Sequence, residues 1–251
     1  MLLNGKLIRR KQGIPQGSPL SPLLSNIVLN ELDKELEKRA HRYVRYADDF
    51  SIYLKSMKSA RRVSNSIYLF LEQKLKLPIN REKSGIRRPV SFTILGYKFA
   101  STYKKGEKGK YQLIVGEKPW NRLKENIKSI TRKTSPLSFD ERVKRLKLLQ
   151  NGWINYFRHG SILEKLKRLD EWSRNRLRCC IWHDWKKPER KRKNLIRLGI
   201  KPGDAYAWSL TRMGGWAVAC SSILRTTITI ERLESRGYQS MSTYYLKVTD
   251  T

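Results

Sequence analysis

Tyr46-Ala47-Asp48-Asp49 stands between two alternating runs, His41-Arg42-Tyr43-Val44-Arg45 before it and Phe50-Ser51-Ile52-Tyr53-Leu54 after it. β-Branched and aromatic residues in such runs favour strands. The stretch therefore reads as a hairpin with its turn at the acids. Asp tolerates turn geometry, so a solvated hairpin tip is the ordinary explanation for such a pair. The setting favours a second one. In a chain this basic, two adjacent carboxylates are a seat for a hard divalent cation such as magnesium, which clamps phosphates in transfer reactions.

The charge is extreme. Among 251 residues, 54 Lys and Arg face 22 Asp and Glu, a formal net charge of +32, far beyond what solubility requires. The excess is spread over both halves of the chain, which favours long contacts with a phosphate backbone and hence a nucleic-acid partner. No stretch approaches the roughly 20 apolar residues of a spanning helix. Lys6, Arg9, Arg10 and Lys11 interrupt the apolar opening before any signal core forms, so a cytoplasmic protein without a membrane partner is expected. Cys179, Cys180 and Cys220 give no disulfide framework and no paired CxxC, and read as buried thiols. His41, His159 and His183 have no metal-ligand spacing, which argues against a zinc or histidine-dependent nuclease centre.

Outward from the acidic hairpin, Leu2 to Ile8 reads as a short hairpin turning at Asn4-Gly5. The Gly- and Pro-rich stretch from Gln12 to Pro22 forces a defined loop, with Ser21 able to cap a helix and Pro22 suited to its first turn. Leu24, Val28, Leu32 and Leu36 then mark one helical face. A second helix opens at Ser59, carries Val63, Ile67, Leu71 and Leu75 on one face and stops at Pro78. Ile94 to Phe99 and Tyr111 to Val115 read as a hairpin across the charged tip 104–110. Beyond Pro119 the period changes from 2 to 3.6. Three stripes follow, Trp120/Leu123/Ile127/Ile130, Leu146/Leu149/Trp153/Tyr156 and Leu163/Leu166/Leu169/Trp172, implying three helices with Lys and Arg on their outer faces. From Trp182 to Arg197, basic residues mix with Trp182 and Trp185. That pattern suits RNA, where rings stack on bases and cations hold phosphates, although the rings serve a core equally well. Ile223 to Ile230 reads as a strand or a buried packing segment.

The ordered set Gln16-Gly17-Ser18-Pro19-Leu20-Ser21-Pro22, Tyr46-Ala47-Asp48-Asp49, Asn80-Arg81-Glu82-Lys83-Ser84 and Leu95-Gly96-Tyr97-Lys98-Phe99 closely resembles the palm motifs of bacterial group II intron reverse transcriptases, also called maturases. Asn151-Gly152-Trp153-Ile154-Asn155-Tyr156-Phe157 resembles the family's thumb. The resemblance continues to Gly214-Gly215-Trp216 and Tyr244-Tyr245.

It implies an α+β fold: a partial polymerase-type palm of antiparallel strands with packed helices over residues 1–117, a mainly helical thumb over 118–181, and a basic RNA-binding extension over 182–251. By the same resemblance Asp48 and Asp49 are the catalytic carboxylates that hold Mg2+. Gln16, Gly17, Tyr46, Ala47, Lys83 and Gly96 meet nucleotide or primer. The RNA surface is placed at Lys186, Lys187, Arg190, Lys191, Arg192 and Lys193. The implied partners are group II intron RNA, an RNA template with a DNA primer, and deoxynucleoside triphosphates. In this family a further aspartate, on a strand upstream of the glycine-rich loop, completes the two-metal site, and it would precede Met1; the finger region and the zinc-bearing nuclease of some relatives are expected to be absent too. Two functions follow: an RNA-directed DNA polymerase and maturase, or a non-catalytic maturase fragment that binds intron RNA.

Overall fold

The computed structural model describes residues 2–3, 6–7, 19–101 and 111–250. The turn at Asn4-Gly5, the loop holding Gln16 and Gly17 and the charged tip 104–110 lie outside the described residues. The chain divides into two compact units, residues 1–88 and 89–251, and mixes helices with small antiparallel sheets.

In the first unit β1 (Leu2–Leu3) pairs with β2 (Lys6–Leu7). The helix α1 (Ser21–Lys38) begins with Pro22 in its first turn, as expected, but Leu20 rather than Ser21 is its N-cap. It buries Leu29, Leu32 and Leu36. Leu24 and Val28, expected on the same face, are 40% and 42% exposed. Strands β3 (Arg42–Tyr46) and β4 (Asp49–Tyr53) form the hairpin read from the sequence. The helix α2 (Met57–Leu69) starts earlier than expected, because the Ser56 hydroxyl accepts the Ser59 amide at 3.2 Å and caps it. It runs into a wide π-type turn at Phe70–Lys74. Val63, Ile67, Phe70 and Leu71 meet Leu29, Leu32 and Leu36 in one small core, against which Tyr43, Phe50, Ile52 and Leu54 of the hairpin pack.

The second unit opens with β5 (Thr93–Ile94), β6 (Tyr97–Ser101) and β7 (Tyr111–Val115), paired in that order. The expected single strand from Ile94 to Phe99 is therefore two strands. Leu95 and Gly96, at φ +51° and +81°, make a two-residue turn between them, a left-handed geometry that suits Gly and tight hairpins.

Nine helices follow among the described residues. α3 (Glu117–Ile130), α4 (Phe139–Phe157) and α5 (Leu163–Asp184) are the expected bundle; then come α6 (Pro188–Arg197), α7 (Pro202–Ser209), α8 (Gly215–Cys220), α9 (Ser222–Thr227), α10 (Ile230–Glu234) and α11 (Met241–Thr249). Ile223 to Ile230 is thus not a strand: residues 223–227 lie in α9 and Ile230 opens α10, while Leu224 and Ile228 are buried, as the alternative of a packing segment expects. α4 is rotated from its expected face: Leu146, Gln150, Ile154 and Phe157 point inward, while Tyr156 is 54% exposed.

The small sheet belongs with these helices. The Tyr97 hydroxyl donates to the Tyr156 carbonyl at 2.6 Å, and the Tyr156 hydroxyl donates back to the Leu95 carbonyl at 3.1 Å. The compact units accordingly divide between Arg88 and Pro89. α5 likewise runs unbroken through position 181.

Not every basic residue faces outward. Arg142, on α4 and 1% exposed, donates to the carbonyls of Ile130, Arg132, Ser135 and Leu137. Arg176, on α5, reaches the carbonyls of Lys128 and Thr131. Two guanidinium groups thus satisfy the open carbonyls at the C-terminus of α3, where cations are favoured by the helix dipole. Buried Arg178 donates to the Ile228 carbonyl at 2.9 Å. No helix among the described residues is long and apolar enough to cross a membrane.

Candidate metal-binding turn and basic helix

The register of the acidic hairpin pairs Arg45 with Phe50 and Tyr46 with Asp49, leaving Ala47 and Asp48 as the turn. Only one acid is at the tip; Asp49 is the first residue of β4. Ala47 has φ +53°, and a small side chain limits the cost of that geometry. The turn by itself thus accounts for Ala at this position.

Side chains alternate across the pairing. Tyr43, Arg45, Phe50 and Ile52 face the helices, whereas Val44, Tyr46 (64% exposed) and Asp49 line the open face. Asp48 and Asp49 are both exposed. Their oxygen donors suit magnesium chemically. Among the described residues no group of three or more His, Cys, Asp or Glu gathers around them, so a cation held by these two carboxylates would need further oxygen donors such as phosphates, water or other carboxylates.

The hairpin's placement depends on a residue that the alternating pattern did not single out. Arg45 donates from Nε to both oxygens of Asp33, at 2.8 and 3.0 Å, and from Nη2 to Asp33 again. Its Nη1 donates to the Asn26 side-chain oxygen and to the Ala47 carbonyl, each at 2.9 Å. Asn26 and Asp33 lie seven positions apart on α1, two turns along one face. That spacing was the available signal.

Of the other expected site residues, Lys83 is exposed in a turn where the Asn80 side-chain oxygen accepts the amides of Glu82 and Lys83. Gly96 belongs to the second unit. A Cβ there would stand 3.1 Å from both Phe157 Cζ and Pro119 Cγ, so close packing and positive φ together account for glycine. The structure brings Tyr46, Ala47, Asp48 and Asp49 together on one hairpin, with Lys83 in the same unit.

In the second unit the six expected RNA-binding residues split into two groups. Lys186, Lys187, Arg190 and Lys193 are exposed and line one shallow cleft with Glu189 at the start of α6. Lys191 and Arg192 are half-buried against rings, with Lys191 Nζ 4.4 Å from the Trp182 ring centre and the Arg192 guanidinium 5.9 Å from that of Tyr206. Burial lowers the Lys191 pKa. Trp182 itself is core, 4% exposed, which removes it as a free stacking platform. Glu189 draws Lys193 to 3.7 Å, a loose exposed pair of little energetic consequence. Cys180 is buried and its thiol is pushed by burial up to about 11, in keeping with an inert core thiol.

Comparison with known proteins gives an ordered pair of matches. Residues 3–99 match the family model for reverse transcriptase (RNA-dependent DNA polymerase). Residues 120–199 match that for the group II intron maturase-specific domain. Protein YkfC of Escherichia coli strain K12 is 32% identical, over 30% of this chain and 29% of that protein. The retron Ec86 reverse transcriptase of Escherichia coli is also 32% identical, over 34% of this chain and 28% of that protein. The chain thus spans under a third of the length of these curated relatives.

Proposed function

From a chain that belongs to the group II intron-type reverse transcriptases and maturases, we propose an RNA-directed DNA polymerase and maturase that binds intron RNA, assists its splicing and copies RNA into DNA with magnesium. The observation that carries this reading is a coincidence of position. The reverse transcriptase match encloses the exposed acidic hairpin, and the maturase-specific match encloses the basic cleft of α6.

In this reading Asp48 and Asp49 hold Mg2+, which when bound supplies charge neutralisation for a primer 3′ hydroxyl attacking a deoxynucleoside triphosphate. The chain's own residues set the geometry. The tight turn presents the Asp48 carboxylate to solvent, and Asp49 shares its open face with the Tyr46 ring, a flat surface beside the reacting phosphates. Lys83 meets triphosphate or primer. By the family resemblance, Gln16 and Gly17 would contact the nascent base pair and Gly96 the primer. Lys186, Lys187, Arg190 and Lys193 hold RNA phosphates, while Lys191 and Arg192 brace the helix that carries them.

Primer extension on poly(rA)/oligo(dT) with Mg2+ tests the polymerase half: synthesis abolished by Asp48→Ala supports it, and synthesis that survives this change refutes it. Joint neutralisation of Lys186, Lys187, Arg190 and Lys193 tests the other half. Binding to structured RNA is expected to weaken and its dependence on salt to flatten. RNA binding without nucleotide incorporation would favour the non-catalytic maturase instead.

A further inference from the structure

We propose that Arg45 is the positioning residue of the acidic turn, held by Asp33 and Asn26 of α1 so that its bond to the Ala47 carbonyl aims the Asp48 carboxylate at a divalent cation. This rests on the reading of Asp48 and Asp49 as metal ligands.

The geometry is closed on three sides. Arg45 and Asp33 are 14% and 18% exposed in their side chains, and the bidentate pair fixes the plane of the guanidinium. With that plane fixed, both hydrogens of Nη1 are committed, one to Asn26 and one to Ala47. The Ala47 carbonyl belongs to the peptide that joins Ala47 to Asp48. In a two-residue hairpin that peptide is the part free to flip between turn types. A flip would turn the carbonyl away and swing the backbone from which the Asp48 side chain departs. Holding this one oxygen therefore selects one turn, and it secures an Ala at φ +53°, a left-handed geometry that costs a non-glycine residue.

Asp33 has a second effect. A guanidinium three residues from Asp48 would be drawn to the acids and would compete with a cation. Paired with Asp33, it is neutralised and turned toward α1. The clamp therefore separates two uses of positive charge: Arg45 orients the turn, and the metal answers its carboxylates.

The experiment uses the full chain, 15N-labelled, with Mn2+ alone as the paramagnetic probe and broadening of the Ala47 to Phe50 amides as the readout. Asp48→Asn is expected to remove the broadening; if it does not, the metal reading fails and the clamp proposal with it. Arg45→Lys keeps the charge, but one ammonium cannot span three acceptors in fixed directions. It should weaken apparent Mn2+ affinity about tenfold, the scale of lost outer-shell support. Asp33→Asn should do at least as much, because it frees the guanidinium toward the acids. Asn26→Ala, which leaves the ion pair intact, should cost about twofold and serves if either stronger variant unfolds the unit. Unchanged amide shifts for Leu32, Leu36 and Ile67 report that the core persists. If affinity is unchanged in Arg45→Lys and Asp33→Asn, or in Asn26→Ala where those two unfold, while Asp48→Asn abolishes it, the clamp is refuted and the metal site stands.

Discussion

Replacing Arg142 with Met is the sharpest test of how the second unit is held together. The guanidinium is 1% exposed and donates four hydrogen bonds of 2.7–3.1 Å to carbonyls of the α3–α4 connection. Met preserves most of the aliphatic stem and removes every donor. Relief from burying a cation offsets part of the loss. Arg132 is exposed, so its carbonyl regains water at little cost. Ile130, Ser135 and Leu137 are half-buried, and leaving these three carbonyls unsatisfied at about 1 kcal/mol each or more, offset in part by that relief, predicts a net loss of about 3 kcal/mol.

The assay is built into the sequence. All 7 Trp lie beyond Arg88, within the second unit, so Trp fluorescence during urea unfolding reports that unit alone. With a urea dependence of about 2 kcal/mol per molar, the midpoint should fall by about 1.5 M. Arg142→Lys, which keeps the charge but bonds from a single point, should recover about half of the loss. Arg145→Met removes an exposed pair with Glu141 on the same helix and should shift the midpoint by less than about 0.3 M. A shift equally small for Arg142→Met would refute the view that this cation organises the connection.

Three further outcomes follow from the same unit. Gly96→Ala should destabilise it by about 2 kcal/mol, through positive φ and two contacts that must give way, whereas Gly152→Ala, in α4 with nothing within 4 Å, should stabilise it by about 0.5–1 kcal/mol; urea midpoints of the two variants decide both signs. Tyr238 is buried and donates to Asp170 at 3.1 Å, and burial followed by the Asp170 charge raises its pKa well above 10. The neutral phenol is thus favoured in the folded state, so its contribution is intact below the unfolded pKa of about 10 and is lost as pH rises beyond it. Tyr238→Phe should be less stable at pH 8 by about 1 kcal/mol yet lose less between about pH 9.5 and 11, measured as the gap between the two urea midpoints. Finally, Cys180 should resist iodoacetamide at pH 8 until urea unfolds the unit, with Cys179 and Cys220, half-buried, labelled earlier; mass spectrometry of the peptides checks the order.

The sequence by itself determined the acidic hairpin, the alternation that sends Phe50 and Ile52 inward, most of the helices, and a net charge that favours a polyanion. These are local or global sums: strand and helix periods are read within one element, and charge needs no coordinates. It misjudged features that depend on distant partners. Leu95-Gly96 interrupts a strand because Phe157 and Pro119 approach it from another part of the chain. α4 is rotated because Trp153 and Phe157 pack with Trp120 and Tyr97. Of the two readings of Ile223 to Ile230, packing rather than a strand prevails, because Leu224 and Ile228 find a core there although their β-branched neighbours favour a strand. Above all, sequence could not sort the cations. Arg45, Arg142 and Arg176 look like the surface Arg and Lys beside them, but each turns inward because tertiary folding brings a carboxylate or a set of open carbonyls 5 to 48 residues away within reach. The charge count points to a polyanion; only the packing decided which cations are exposed and which hold the fold.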